Sequence, residues 1–162
     1  MTRKHSALAA LGFGALAYGA AALGTLAMRG KGSPKRLWYR LLRKPSYQPP
    51  ATVFAPVWTV LYATIAYAGW KVWTAEPSAE RTRALALWGA QLGLNALWTP
   101  LFFGARKPGL ALVDMAALDA AAVGFAAAAR EVEPAAARAV VPYLGWLGFA
   151  SALNTAIVAK NR

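Results

Sequence analysis

The chain has 162 residues, no cysteine, one histidine, a formal charge of +12 and 58% hydrophobic residues. These values exclude a disulfide framework and a thiolate metal site, and with His5 at the N-terminal edge they leave no basis for histidine-centred catalysis. The basic residues fall between long apolar runs rather than on one face of a compact domain, which points to anionic headgroups and not to nucleic acid.

A helix that crosses a bilayer needs about 20 mostly apolar residues. Five stretches qualify: residues 7–28, 51–73, 84–104, 109–129 and 139–159. The expected fold is an all-α membrane protein, one domain over residues 1–162. It is a bundle of five transmembrane helices with a basic, aromatic cytoplasmic loop between the first and second.

The first span is preceded by Met1-Thr-Arg-Lys-His5, as a signal peptide would be, and Thr25 and Ala27 could form a cleavage motif. Its apolar run is long for a signal peptide and seven basic residues follow it closely, so an uncleaved helix is expected. Small residues recur as Ala10/Gly14, Ala15/Gly19 and Ala20/Gly24, a spacing that suits close packing within the bundle.

Trp38 to Tyr62 combines cations and aromatics with Pro45, Pro49 and Pro50, then becomes an apolar helix containing Pro56, Trp58 and Tyr62. It reads as an interfacial lid leading into a span that lines a site. Trp38, Tyr39 and Tyr47 are expected in the inner aromatic belt, and Trp70, Trp73, Trp88 and Tyr143 in the outer one.

On the third span Gln91, Asn95, Trp98 and Phe102 share a helix face, as do Phe54, Trp58 and Tyr62 on the second and Trp146, Ala150 and Asn154 on the fifth. Polar residues in hydrocarbon usually face the bundle interior, so these groups converge in the half beneath the first loop. Two readings fit: a packed aromatic core with asparagines bridging helices, or a ligand pocket. Ala86/Ala90 and Gly89/Gly93 on the third span suit contact between subunits of a homodimer. The fourth span carries Asp114 near one end and Asp119 near the centre, with no Arg or Lys at matching depth. Asp119 is therefore expected to be neutral and to face inward.

Five spans place the termini on opposite sides. Arg3, Lys4, Lys71, Arg81, Arg83, Arg130 and Arg138 make seven cations on the N-terminal side, against eleven in the first loop, third loop and C-terminus. The short-loop rule then puts the N-terminus outside and the C-terminus in the cytoplasm, in a bacterial inner membrane.

Three stretches carry a resemblance: Trp38–Tyr62, Leu94–Asp114 (LNALWTPLFFGARKPGLALVD) and Pro142–Val158 (PYLGWLGFASALNTAIV). Together they resemble the tryptophan-rich TspO/MBR family, which includes the mitochondrial translocator protein, over nearly the whole chain. The resemblance implies five transmembrane helices, often dimeric, around a pocket for porphyrins, and in eukaryotic members for cholesterol and drugs. It implies that Trp58 and Trp146 are pocket tryptophans and that Asn95, Trp98, Phe103, Ala150 and Asn154 line or adjoin them; Tyr62 joins this set from its face. Thr155 stands where eukaryotic members have the tyrosine of the sterol segment, which weakens the expectation of sterol binding. Tyr47, Leu110 and Asp119 also depart from the family pattern.

The leading expectation is a receptor or carrier for tetrapyrroles, with a sensory or regulatory role and no required cofactor. Arg36, Arg40, Arg43 and Lys44 would clamp the ligand carboxylates. The alternatives are an enzyme that degrades porphyrin through Trp58 and Trp146, and a proton-coupled transporter using Asp119. No nucleophile–base pair, metal cluster or nucleotide loop is present in the sequence.

Overall fold

The structure is a computed structural model that describes the backbone of residues 3–26 and 34–162 and the side chains of residues 6–23 and 37–162. The end of the expected first span at 27–28 lies outside the described residues, as does the side chain of Arg36, one member of the expected clamp. Among the described residues the regular structure is all helical, with no strand: α1 (Arg3–Leu26), α2 (Pro34–Leu41), α3 (Ala51–Thr74), α4 (Ala79–Thr99), α5 (Pro108–Val132), α6 (Pro134–Ala139) and α7 (Val141–Lys160). A five-residue π-helical turn, Pro100–Gly104, extends α4.

Four segments are long and apolar enough to cross a membrane: Ser6–Leu23, Ala51–Thr74, Pro108–Val132 and the run Pro134–Lys160 formed by α6 and α7. Helix α4 has comparable length but begins five residues before the expected span, and its first turns carry Glu80, Arg81 and Arg83. Those charges lower its mean hydropathy.

Local signals account for the boundaries. Pro50 precedes α3, Pro108 opens α5 and Pro134 opens α6, positions where a missing N–H costs nothing. Ser78 caps α4 by accepting from the Arg81 N–H at 3.0 Å. Glu133 caps α6 through Ala135 N–H at 3.4 Å. Pro100 cannot donate to the ladder, and the chain widens there into a turn closed by Ala105 N–H to the Pro100 carbonyl at 2.8 Å. Arg106 then reverses direction at φ 57°.

Packing arranges the long helices as a ring in the order α1, α3, α7, α5, α4, with α4 along α5 the most extensive pair and α6 against α3. Ile65, Ala68 and Val72 of α3, Leu118, Ala122 and Phe125 of α5, and Leu147 of α7 are almost fully buried. Two ends are distinct. At one, Trp70 Nε1 donates to the Ser6 carbonyl at 3.0 Å, and Lys71 pairs with Glu133 at 3.3 Å. At the other, the segment after α2 is tied to the last turns of α7.

Three expectations are corrected. Trp88 and Tyr143 belong to the core and not to a belt: Trp88 is 5% exposed, with Nε1 donating to the Ile65 carbonyl at 2.9 Å, and Tyr143 is 2% exposed. Position along a span reports depth, whereas burial depends on which way the residue faces around the helix. Gly14 and Gly19 do not mediate close helix packing, since a Cβ at either would meet nothing within 4 Å. Helix α1 packs instead through Phe13 and Ala17. The close approach lies at Gly69, where an added Cβ would fall 2.5 Å from Trp88 Nε1 and 2.7 Å from Phe13 Cδ1.

Candidate functional site

Backbones of α3 and α7 approach one another little, and aromatic rings fill the wedge between them. Trp58 meets Trp146 edge to face at 6.5 Å and 87°, Tyr62 at 5.3 Å and Tyr143 at 6.4 Å. Phe54 lies one turn earlier and touches Trp146 at 5.7 Å. These spacings are within the range in which aromatic pairs attract. The four-residue period of Phe54, Trp58 and Tyr62 therefore delivers one continuous face into the wedge.

A directional hydrogen-bond chain forms the floor. Tyr62 donates to Asn95 Oδ1, Asn95 Nδ2 donates to the Tyr143 hydroxyl at 3.3 Å, and Tyr143 donates to Gln91 Oε1 at 2.7 Å. Gln91 is fully buried and links α4 to α7 through this chain. Gln91 and Asn95 sit one turn apart, which sets two amides toward one neighbour. Tyr143 joins this chain although the sequence places it in the outer belt; its position three residues before Trp146, on the same helix face, is the available signal.

A second aromatic cluster sits beside the first. Trp98 stacks on Phe102 at 4.8 Å and meets Phe103 at 5.9 Å, while Trp38 and Tyr39 of α2 cover Phe102 and Phe103 edge-on. The π turn lets Phe102 and Phe103 both face this cluster. Trp98 and partly buried Ala150 pack against the main core, and Trp98 also touches the second cluster. Asn154, 1% exposed, points toward α5, with Nδ2 donating to the Pro108 carbonyl at 3.5 Å.

The expected site thus resolves into adjoining parts. Trp58, Tyr62, Asn95 and Trp146 share the wedge, Trp98 and Phe103 share the neighbouring cluster, and Asn154 bonds to the start of α5. Four buried polar atoms here have no partner: Trp98 Nε1, Trp146 Nε1, Gln91 Nε2 and Asn154 Oδ1. Buried polar groups are nearly always paired, so this concentration requires an explanation. Both carboxyl oxygens of buried Asp114 are likewise unpartnered.

Above lies the lid. Asn161 grips the backbone of Arg43 from both sides: Arg43 N–H donates to Asn161 Oδ1 and Asn161 Nδ2 donates to the Arg43 carbonyl, each at 2.9 Å. Tyr47 donates to the Ala152 carbonyl at 3.2 Å and rests on Phe149. Gln48 Nε2 donates to the Tyr39 hydroxyl at 3.1 Å. Burial raises the Tyr39 pKa above its ordinary value, and the Gln48 bond partly offsets this. Of the expected clamp, Arg40 and Arg43 are exposed. Lys44 Nζ is engaged by the Arg40 and Leu42 carbonyls and the Tyr39 ring face. Half-buried Asp119 accepts from Ser151 Oγ at 2.6 Å in the seam between α5 and α7.

Comparison with known proteins identifies the family. The sequence profile of the TspO/MBR family matches residues 13–159. The chain is 40% identical to a translocator protein of Sus scrofa over 157 residues, 96% of this chain and 91% of that protein. It is 42% identical to a translocator protein of Homo sapiens over 127 residues, 76% of this chain and 75% of that one. It is 36% identical to a tryptophan-rich sensory protein of Cereibacter sphaeroides over 141 residues, 87% of each. With its apolar helices and a family match spanning nearly its full length, the chain is an integral membrane protein of the TspO/MBR family.

Proposed function

We propose that this protein is a membrane receptor or carrier for tetrapyrroles, with a sensory or regulatory role, and that the wedge between α3 and α7 is its site. The observation that carries the reading is the meeting of Trp58 and Trp146, with unpaired polar atoms on Trp146 itself, on Gln91 in the hydrogen-bond chain below, and on Trp98 and Asn154 in the adjoining parts. A flat, largely apolar ring with a few polar edges satisfies both features at once: its faces stack on indoles and its edges supply the missing partners. Helix α4 completes a five-span bundle, with the N-terminus outside and the C-terminus in the cytoplasm of a bacterial inner membrane. Exposed Gly89 and Gly93 suit a homodimer contact. Arg40 and Arg43, the lid cations with exposed side chains, take the ligand carboxylates, and Arg36 belongs to the same basic segment.

The test is titration of the purified protein with protoporphyrin, followed by tryptophan fluorescence. Binding should quench the emission, and Trp58→Ala should weaken it by about 1–3 kcal/mol, the loss of one buried aromatic contact. Unchanged affinity in Trp58→Ala would place the site elsewhere.

A second reading has its own observation. Trp58 touches the rings of Trp146, Tyr62 and Tyr143, which makes it the hub of a run of oxidisable side chains. Such a run suits oxidative breakdown of the porphyrin by dioxygen under light. Loss of porphyrin absorbance under illumination, abolished in Trp58→Phe, would favour that enzyme over the receptor.

A further inference from the structure

We propose that the seam between α5 and the continuous α6–α7 run is a binding groove for an anionic phospholipid, with the phosphate held by Arg130 and Arg138 beside α6 and one acyl chain laid along α5 and α7. The seam holds a hollow of about 460 Å³ lined by Val123, Ala127, Ala137 and Val141, with Arg130 and Arg138 at its mouth. A second hollow of about 210 Å³ shares Val123 with the first and continues to Gly148 and Asp119. From Arg130 to Asp119 is eleven residues of one helix, a rise of roughly 16 Å at 1.5 Å per residue. That is about half of a hydrocarbon core near 30 Å thick, the depth of a single leaflet. The groove exists because alanine and glycine occupy the positions where larger side chains would close it.

Charge selects the occupant. Both guanidinium groups belong to exposed residues, and among the described residues neither has an acidic partner. Two acids lie nearby: Glu133 is engaged by Lys71 and by its helix-capping bond, and exposed Glu131, next to Arg130, forms no ion pair among the described residues. The mouth therefore presents two unneutralised cations beside an apolar trough, complementary to a phosphodiester carrying a hydrocarbon tail. A free anion would use the arginines and leave the trough unfilled. A second copy docked through this face about an axis along the membrane normal would gather four like charges at one membrane level with no paired acid to offset them.

The experiment titrates the purified protein, in neutral detergent, with phosphatidylglycerol or phosphatidylcholine of matched chains and counts bound lipid by native mass spectrometry. Phosphatidylglycerol should bind roughly tenfold or more tightly, a preference two interfacial cations can supply. The R130Q/R138Q pair should reduce it to the phosphatidylcholine level, whereas R130K/R138K should retain most of the preference. Val123→Trp, which fills the trough without altering charge, should weaken both lipids. K160Q/R162Q, which removes the same charge at the opposite end, should leave the preference intact. Equal binding of the two lipids by the parent protein would overturn the proposal, as would a preference surviving R130Q/R138Q. So would displacement of the lipid by soluble glycerol phosphate at equal concentration, or a Val123→Trp protein that loses its dimer and keeps its lipid.

Discussion

Gly69→Ala tests the packing of the bundle most sharply. An added Cβ would fall 2.5 Å from Trp88 Nε1, 2.6 Å from Trp88 Cε2 and 2.7 Å from Phe13 Cδ1, about 1 Å inside ordinary carbon contact distance. The obstructing groups sit on two different helices, α4 and α1, so no single shift relieves both. Trp88 is also fixed by its 2.9 Å bond to the Ile65 carbonyl and by edge contact with Phe13 at 4.7 Å. Overpacking of a core costs about 1–3 kcal/mol, and displacing the indole forfeits a buried hydrogen bond of roughly 1 kcal/mol more. The expected loss is about 2–4 kcal/mol, which for a chain of this size lowers the thermal midpoint by roughly 5–15 °C. Thermal unfolding in detergent, followed by circular dichroism, measures it. Trp88→Phe in the Gly69→Ala background removes the two obstructing indole atoms, leaves Phe13 in place, and should restore part of the loss. A Gly69→Ala protein melting within about a degree of the parent would refute the three-helix contact.

Tyr143→Phe should cost about 1–3 kcal/mol of thermal stability, because Gln91 Oε1 loses its donor while buried; a shift no larger than that of an exposed control would remove Tyr143 from the network. Asn161→Ala should leave the thermal midpoint nearly unchanged yet raise the rate of tryptic cleavage at Arg40 and Arg43 severalfold, since that side chain ties the lid and otherwise bonds only the Ile157 carbonyl of its own last turn. Tyr39 is protonated when docked, and its folded pKa is raised. Its contribution is therefore fully present below the ordinary tyrosine value near 10 and is lost as pH rises through the raised one. The tyrosinate step missing from the alkaline absorbance titration of Tyr39→Phe should lie above that ordinary value. A cytoplasmic-type reporter placed behind Arg162 should be active, and activity only from a periplasmic type would reverse the orientation.

Apolar run length made four crossing helices legible, because a run of about 20 apolar residues has few other uses. Four-residue spacing likewise exposed the Phe54–Trp58–Tyr62 and Trp146–Ala150 faces. Trp88 and Tyr143 were misplaced because both lie near the end of a span, where aromatics often serve as anchors, and rotation about the helix axis is invisible without the neighbours. The π turn was hidden for a related reason. Pro100 signals a disturbed ladder, but whether the chain tightens or widens depends on what Phe102 and Phe103 can pack against. Asn161 went unnoticed because its partner is backbone at Arg43, and a backbone atom leaves no mark in composition. Helix α2 within the lid was obscured by the basic residues around it.

The clasp at Asn161 also imposes an order of events in time. Arg43 and Asn161 lie 118 residues apart, and Tyr47 and the Ala152 carbonyl 105. While the chain is being synthesised, the lid emerges early and finds no surface to rest on. Closing so long a loop carries an entropic penalty of roughly 4 kcal/mol beyond a constant, which packing of the intervening helices must first absorb. The segment from Arg43 to Tyr47 therefore seats last, after α7 has joined the ring, and a bundle missing that helix leaves Arg43 and Lys44 unlatched and open to proteases.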